Sequence, residues 1–253
     1  MSIPARDIMG GLAKGLAVIE TFNAERPRQS IAEVAAASGL DRATARRCLL
    51  TLAEQGYADY DGKFFTLTPR VLRLGTACLA TMPLPQLVQP WLDRLSDELG
   101  ESSSVSILDG AEIVYVARAA QRKVMSIALM PGSRLPAYCT SMGRVLLAAL
   151  PEPEALARLT ATPLVPRTAL TITDPQALMA RLAEVRASGH AVIDQEVELG
   201  LRSLAVPLYD AHARVVAAVN LGLPAGAGEI GDLVRRHLPR LLGLQAELRG
   251  VLR

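Results

Sequence analysis

Residues 30–56 fix two helices and the turn between them with little freedom left over. In SIAEVAAASGLD, Ser30 stands before an apolar run with Glu33 three positions on, a reciprocal cap in which each side chain satisfies an N–H that the first turn leaves unpaired. Gly39 ends that helix, since the left-handed turn after a helix is cheapest for a residue without Cβ. Asp41 then opens a second helix, DRATARRCLLTLAEQ, closed by Gly56. Two short helices joined through a glycine turn make a helix-turn-helix. An amphipathic helix carried by Leu12, Leu16 and Ile19, with Ala13, Val18 and Phe22, precedes them and stops in the polar stretch Asn23 to Arg28.

At roughly 100° per residue, Cys48, Leu49 and Leu52 cluster around Ala45, whereas Arg47 lies near the opposite pole with Ala43 and Glu54, and Arg42 and Arg46 lie toward the flank. One side packs and the other carries arginine. Arg42, Thr44, Arg46 and Arg47 project from the first turns, the part of such a helix that meets DNA, where arginine bonds a guanine edge or grips phosphate. Taken alone, that face reads equally well as a solvated basic surface. The segment YADYDGKFFTLT shifts the balance: Tyr57 to Tyr60 and Phe64 to Leu67 are short strands around Asp61-Gly62, a hairpin signal. The order describes a winged helix-turn-helix with Lys63 at the wing tip, against backbone or minor groove. The duplex-facing residues are thus expected to be Ser30, Arg42, Ala43, Thr44, Arg46, Arg47 and Lys63. Residues 1–80 hold ten Lys/Arg and eight Asp/Glu, and the remainder seventeen of each, so the whole net charge of +2 lies in the first third.

The rest of the chain is long enough for a second domain. Half of the 253 residues are hydrophobic and 21% are charged, a balance that favours packed cores over disorder. There is no apolar run of roughly 18 uncharged residues and no apolar signal-peptide core near the start, so the chain is expected in the cytoplasm, without a membrane partner. Cys48, Cys78 and Cys139 are odd in number and far apart, which fits free thiols in a reducing compartment. PQLVQPWLDRLSDELG is a helix with Leu87, Trp91, Leu95 and Leu99 at spacings of four, Trp91 being read as core. Strands follow on either side of Asp109-Gly110, with Lys123 to Leu129 as a third; MPGSRLPAY is a loop, and Ser141 to Leu150 a helix capped by Thr140 or Ser141. Asp174 caps a helix that stops at Gly189, Leu201 to Tyr209 and Val215 to Leu221 pair as strands, and a helix over Glu229 to Val251 closes the domain. Asn220 interrupts an apolar strand. A buried amide without partners costs about 1–3 kcal/mol, so it must bond protein, water or a ligand. Ser203, and Ser102, Ser104 and Ser106 at period two, raise the same question, with bonding to nearby backbone as the plain alternative.

SIAEVAAASGLDRATARRCLLTLAEQGYADYDGKFFTLTPRVLRLG resembles the N-terminal domain of IclR-type bacterial transcription regulators. AEIVYVARAAQRKVMSIALMPGSRLPAYCTSMGRVLLAAL, DQEVELGLRSLAVPLYD and VVAAVNLG are similar to that family's effector-binding domain, with the wording PAYCTSMGR pointing to the branch that regulates protocatechuate, 4-hydroxybenzoate and beta-ketoadipate catabolism. The resemblance implies an α+β protein: a winged helix-turn-helix over 1–68, a linker helix over 69–84, and a GAF/PAS-like effector-binding and oligomerisation domain over 85–253. It implies duplex DNA with a pseudo-palindromic operator, a small-molecule effector, further copies of the chain as dimer or tetramer, and RNA polymerase as partners. For the effector site it singles out Leu201, Ser203, Asn220, Ser141 and Met142, with Asp194 and Glu196 nearby.

An aromatic carboxylate would sit at the N-terminal turn of the helix beginning near Ser141, with Tyr138 and Met142 against its ring; Arg134 and Arg144 are close in sequence, and Arg144 reads equally well as an ion-pair partner. A regulator of another carbon pathway, answering to a non-aromatic organic acid, is the alternative within the family. A thiol enzyme would have to use Cys139 with His190 and Asp194, but no hydrolase, metalloprotease, phosphate-loop or dinucleotide motif accompanies them. His190, His212 and His237 are isolated, so no metal, cofactor or catalytic residue is expected.

Overall fold

The computed structural model describes residues 4–23, 25–121, 129–226 and 228–252, divided into two compact units, Met1–Ala80 and Thr81–Arg253. The first contains α1 (Gly10–Glu20), β1 (Arg28–Ser30), α2 (Ile31–Ser38), α3 (Arg42–Glu54), β2 (Ala58–Tyr60), β3 (Phe64–Leu67) and α4 (Leu72–Thr81), the last entered through a 3-10 turn at Pro69–Val71. Both expected caps form: Ser30 and Glu33 make the reciprocal pair, and Asp41 Oδ1 accepts the Thr44 N–H at 2.8 Å. Gly39 and Gly56 take the positive φ their turns require. Val18, Val34, Ala35, Ala45, Leu49, Ala58 and Phe65 make the core.

Two features of this unit go beyond what the sequence displays. The polar stretch after α1 ends in a strand, β1, which joins the hairpin as an edge in the order β1-β3-β2, with Gln29 opposite Phe65. Three residues carry no readable alternation, so only the partner strand defines them. On α1 the apolar stripe is only partly used: Val18 is buried, while Leu12 and Leu16 are 61% and 46% exposed. The helix turns its Val18 edge inward with Ile19 half-buried, Phe22 just past its end packs against the same core, and Leu12 and Leu16 are left in water.

The second unit is built on one antiparallel sheet of six strands, β4 (Ser102–Asp109), β5 (Glu112–Ala119), β6 (Arg134–Pro136), β7 (Ala191–Asp194), β8 (Leu201–Tyr209) and β9 (Val215–Pro224), in the order β6-β5-β4-β9-β8-β7. Helices α5 (Pro83–Leu99) and α9 (Ile230–Arg249) cover one face, where Val88, Leu92, Val105, Val219, Leu221 and Leu241 pack. The other face meets α6 (Ser141–Ala148), α7 (Glu152–Leu159) and α8 (Pro175–Ser188) through Met142, Leu147, Leu178, Leu182, Ala205 and Ala218. Alternation along each strand therefore sends neighbouring residues into two different cores.

Trp91 is half-buried rather than core: α5 presents Val88, Leu92, Leu95 and Ser96, and the Trp91 indole N–H donates to Glu247 Oε2 at 3.0 Å at the rim. The expected loop MPGSRLPAY contains β6 and a 3-10 turn, Ala137–Cys139. Helix α7 and strand β7 lie in segments for which no element is expected. The strand expected over Lys123 to Leu129 falls, but for Leu129, outside the described residues.

Candidate nucleic-acid interface and ligand cavity

In the first unit, Ala45 and Leu49 anchor α3 in the core, which leaves Arg42, Ala43, Arg46 and Arg47 exposed on the opposite side and Thr44 half-buried beside its cap. Among the described residues no carboxylate pairs with these arginines. Ser30 is engaged in the cap: its hydroxyl donates to Glu33 Oε2 at 2.6 Å and its N–H at 2.7 Å, which pulls the Glu33 carboxyl below its ordinary range. Lys63 sits exposed on the wing, its ammonium 5.1 Å from the Phe64 ring centre. The sequence reading missed Arg28, whose guanidinium stacks on the same ring at 4.1 Å and bonds Asp61 Oδ2 at 2.5 Å. That bond, with the Phe64 and Lys63 N–H groups, holds the Asp61 carboxyl far below the usual carboxylate range. The wing tip thus carries two cations on one aromatic plate.

In the second unit, a cavity opens between the sheet and the N-terminal turn of α6. Its lining includes Tyr115, Arg118, Leu129, Leu135, Thr140, Ser141, Met142, Val197, Leu201, Ser203, Asn220 and Gly222. Cross-strand register explains how distant residues meet: Arg118 on β5 lies opposite Ser104 on β4, which lies opposite Asn220 on β9. At about 4.8 Å between strands, these three stand in a row about 10 Å long. Arg118 Nη1 donates to Ser104 Oγ at 2.9 Å, and Ser106 lies 3.2 Å from the Met142 sulfur. Arg118 Nε, Ser141 Oγ and Asn220 Oδ1 are buried without a hydrogen-bond partner among the described residues, and all three residues line this one cavity. No carboxylate pairs with Arg118 among them either. Burial presses its pKa down, yet guanidinium remains charged. Burial also drives the Tyr115 phenol up to about 12, so it stays protonated.

Of the residues expected at the effector site, the structure brings together Ser141, Met142, Leu201, Ser203 and Asn220. It does not bring Tyr138, Asp194 or Glu196 to this cavity. Tyr138 donates its hydroxyl to the Val165 carbonyl at 2.5 Å, and Asp194 is held by its cross-strand neighbour Arg202 at 2.7 Å. Glu196 Oε2 accepts Arg144 Nη2 at 2.7 Å and the Ile172 N–H at 3.1 Å; both side chains of this pair are more than nine-tenths buried. Arg144 is therefore a structural ion-pair partner, and Arg134 is taken at the surface by Asp109 and Glu112. The cation that does reach the cavity, Arg118, was missed. It stands at the end of an alternating strand, VYVAR, and only the pairing of β5 with β4 reveals where it faces.

The close approach of α6 to the cavity depends on Gly143. A Cβ there would stand 2.2 Å from the Ala137 carbonyl and 2.5 Å from Thr140 Oγ1, the group that caps α6 by accepting the Gly143 N–H at 3.1 Å. Cys139 is fully buried with its thiol pushed up to about 12, far from thiolate character, and the His190 ring instead meets the Ser188 carbonyl.

A winged reader and a separate ligand cavity define a DNA-binding regulator with a sensing domain. Two family profiles match, the IclR helix-turn-helix domain over residues 11–62 and the bacterial transcriptional regulator IclR C-terminal domain over residues 76–227. The chain belongs to the IclR family of transcriptional regulators, and it is not an enzyme. The Pca regulon regulatory protein of Pseudomonas putida is 45% identical over 96% of this chain and 84% of its own length. The p-hydroxybenzoate hydroxylase transcriptional activator of Acinetobacter baylyi is 35% identical over 98% of this chain and 94% of its own. Among solved structures, an IclR homologue from Microbacterium hydrocarbonoxydans complexed with 4-hydroxybenzoate has a TM-score of 0.72 at 25% identity, covering 95% of this chain and 99% of that one.

Proposed function

We propose that this regulator controls catabolism of aromatic acids, and that the Arg118 cavity holds an aromatic carboxylate or its ring-cleavage product. The observation that carries the reading is the convergence of three unpartnered buried polar atoms, on Arg118, Ser141 and Asn220, at one cavity. Each costs free energy until a ligand or water meets it. A carboxylate suits the guanidinium, whose planar fork matches it; ligand hydroxyls suit Asn220 and Ser141, and Met142 and Leu201 offer apolar surface. The 4-hydroxybenzoate in the Microbacterium homologue and the names of the two regulators support this choice. Arg42, Ala43, Thr44, Arg46 and Arg47 meet the major groove, Ser30 holds the supporting helix, and Lys63 meets the backbone or minor groove. One recognition helix reads few base pairs, so the active form is a dimer, or a tetramer, on a pseudo-palindromic operator, working in the cytoplasm beside RNA polymerase. The exposed leucines of α1 and α4, Leu12, Leu16, Leu72 and Leu74, are surface available for that pairing. The reader spans 1–68, the linker 69–84 and the sensor 85–253.

Calorimetry with protocatechuate, 4-hydroxybenzoate and beta-ketoadipate tests the sensor: at least one gives saturable heat with the parent protein, and Arg118→Gln and Asn220→Ala abolish or weaken it by an order of magnitude. Silence from all three ends the assignment. For the reader, retardation of a promoter fragment weakens steeply with salt, as counterion release demands, and Arg47→Ala weakens it while leaving the effector heat intact.

A further inference from the structure

Helix α5 grips the cavity wall from behind. Gln89 Nε2 donates to the main-chain carbonyl of Arg118 at 3.0 Å, and to Asp93 Oδ1 at 2.8 Å within its own helix. Two turns on, Ser96 Oγ donates to the Ala119 carbonyl at 3.2 Å and lies 2.8 Å from Ser103 Oγ. Ser103 in turn donates from its hydroxyl to the Leu92 carbonyl at 3.1 Å and from its N–H to Ser96 Oγ at 3.1 Å. Ser96 and Ser103 are 1% and 0% exposed, among Leu92, Leu95 and Val105 in an otherwise apolar layer. A pair of hydroxyls adds no burial there that alanines would not; what it adds is a directional attachment of one helix to two strands. The strands are those of the cavity, for Ser104, next to Ser103, accepts from the Arg118 side chain. Helix α5 thereby holds the backbone of Arg118, Ala119 and Ser103 on one face of the sheet while Arg118 and Ser104 line up on the other. It also follows the linker helix α4 directly in the chain, after Met82.

We propose that Gln89 and the Ser96–Ser103 pair are the positioning residues that carry effector occupancy from Arg118 to α5, and so toward the DNA-reading unit. The inference rests on the reading of this cavity as the effector site. An anion drawn onto the guanidinium shifts the Arg118–Ala119 end of β5, and α5, bonded to those carbonyls, moves with it. Coupling requires that the bonds differ in strength between the occupied and free arrangements, not merely that they exist.

The test uses the full chain, a duplex it selects from a random pool, and whichever of 4-hydroxybenzoate, protocatechuate and beta-ketoadipate saturates the parent. The readout is the ratio of operator affinities with and without acid, for which allosteric proteins show about 5–150-fold. In Gln89→Leu, where a half-buried amide is removed and folding is not at stake, acid affinity and acid-free operator affinity stay within about twofold of the parent, whereas the ratio falls at least threefold. The double variant Ser96→Ala/Ser103→Ala, which leaves neither hydroxyl orphaned and takes an acceptor only from the Ser103 N–H, does the same; thermal unfolding checks that it is folded, and if it is not, Gln89→Leu decides alone. A parental ratio in the folded variants overturns the proposal. A different failure marks the underlying reading: if no acid saturates the parent, or Arg118→Gln binds it at parental strength, the cavity is not the effector site, and this inference falls with it.

Discussion

Two arginines of the sensing unit differ in what surrounds them, and their loss should differ accordingly. Arg144 is sealed in a pair with Glu196, so Arg144→Ala leaves an uncompensated buried carboxylate and lowers unfolding free energy by about 3–5 kcal/mol, read as a drop in the denaturant midpoint. Arg118→Gln removes a charge that no carboxylate balances, and the same titration should show stability unchanged or raised. Gly143 carries a second prediction: Gly143→Ala forces α6 away from the Ala137 carbonyl and costs about 1–3 kcal/mol or more, seen as a lower melting temperature together with a lost effector response. Sequence alone marks Gly143 only as an unexceptional residue inside a helix. The constraint comes from the 3-10 turn folded back on it, which has no local signal.

Elements whose instructions are local were legible, and elements defined by a partner were not. Ser30 with Glu33, Asp41 and Asp174 each announce a helix start within four residues, and the structure places α2, α3 and α8 behind them. Asp61-Gly62 and Asp109-Gly110 likewise name their hairpins. Strands β1, β6 and β7 are three or four residues long and exist because an edge was available for pairing, which no window of sequence displays. The same distinction divides the site: Ser141, Ser203 and Asn220 stand out as polar or cap residues in their own segments, Met142 and Leu201 are marked only by the family resemblance, and Arg118 needs three strands in register. A prediction at this scale concerns the caps. Ser30→Ala costs about 1 kcal/mol in melting of the reader unit and weakens operator binding through a frayed α2, without touching effector affinity. The Glu33 and Asp41 carboxyls are both held below their unfolded values by these caps, so their contribution is complete above those values and fades as the pH falls through the lowered ones. Acid unfolding of Ser30→Ala should accordingly show a shallower pH dependence than the parent.

For the molecule as a whole, one buried histidine ties the stability of the sensor to pH. His237 on α9 is 8% exposed with Nδ1 unpartnered among the described residues, and desolvation, with Arg236 nearby, lowers its pKa below 6.5 despite the opposing pull of Glu101. The unfolded chain therefore binds the proton more readily than the folded one. Stability from this group is full above about pH 6.5 and falls as the solution is acidified toward the lowered folded value. Thermal melts between pH 8 and pH 5 should show that decline, and His237→Leu should flatten it; a parent curve with no slope there would contradict the assignment.

Strand β4 has one further consequence. Ser104 and Ser106 lie behind the cavity, against Arg118 and Met142, while Ser103 and Val105 face the helix side, so the two groups can mutate on separate schedules. A lineage meeting a new carbon source could replace Ser104 or Ser106 and acquire another inducer while inheriting the transmission machinery untouched. Diversification of such sensors is then a matter of redecorating alternate positions on a ribbon, with no redesign of how the message leaves it.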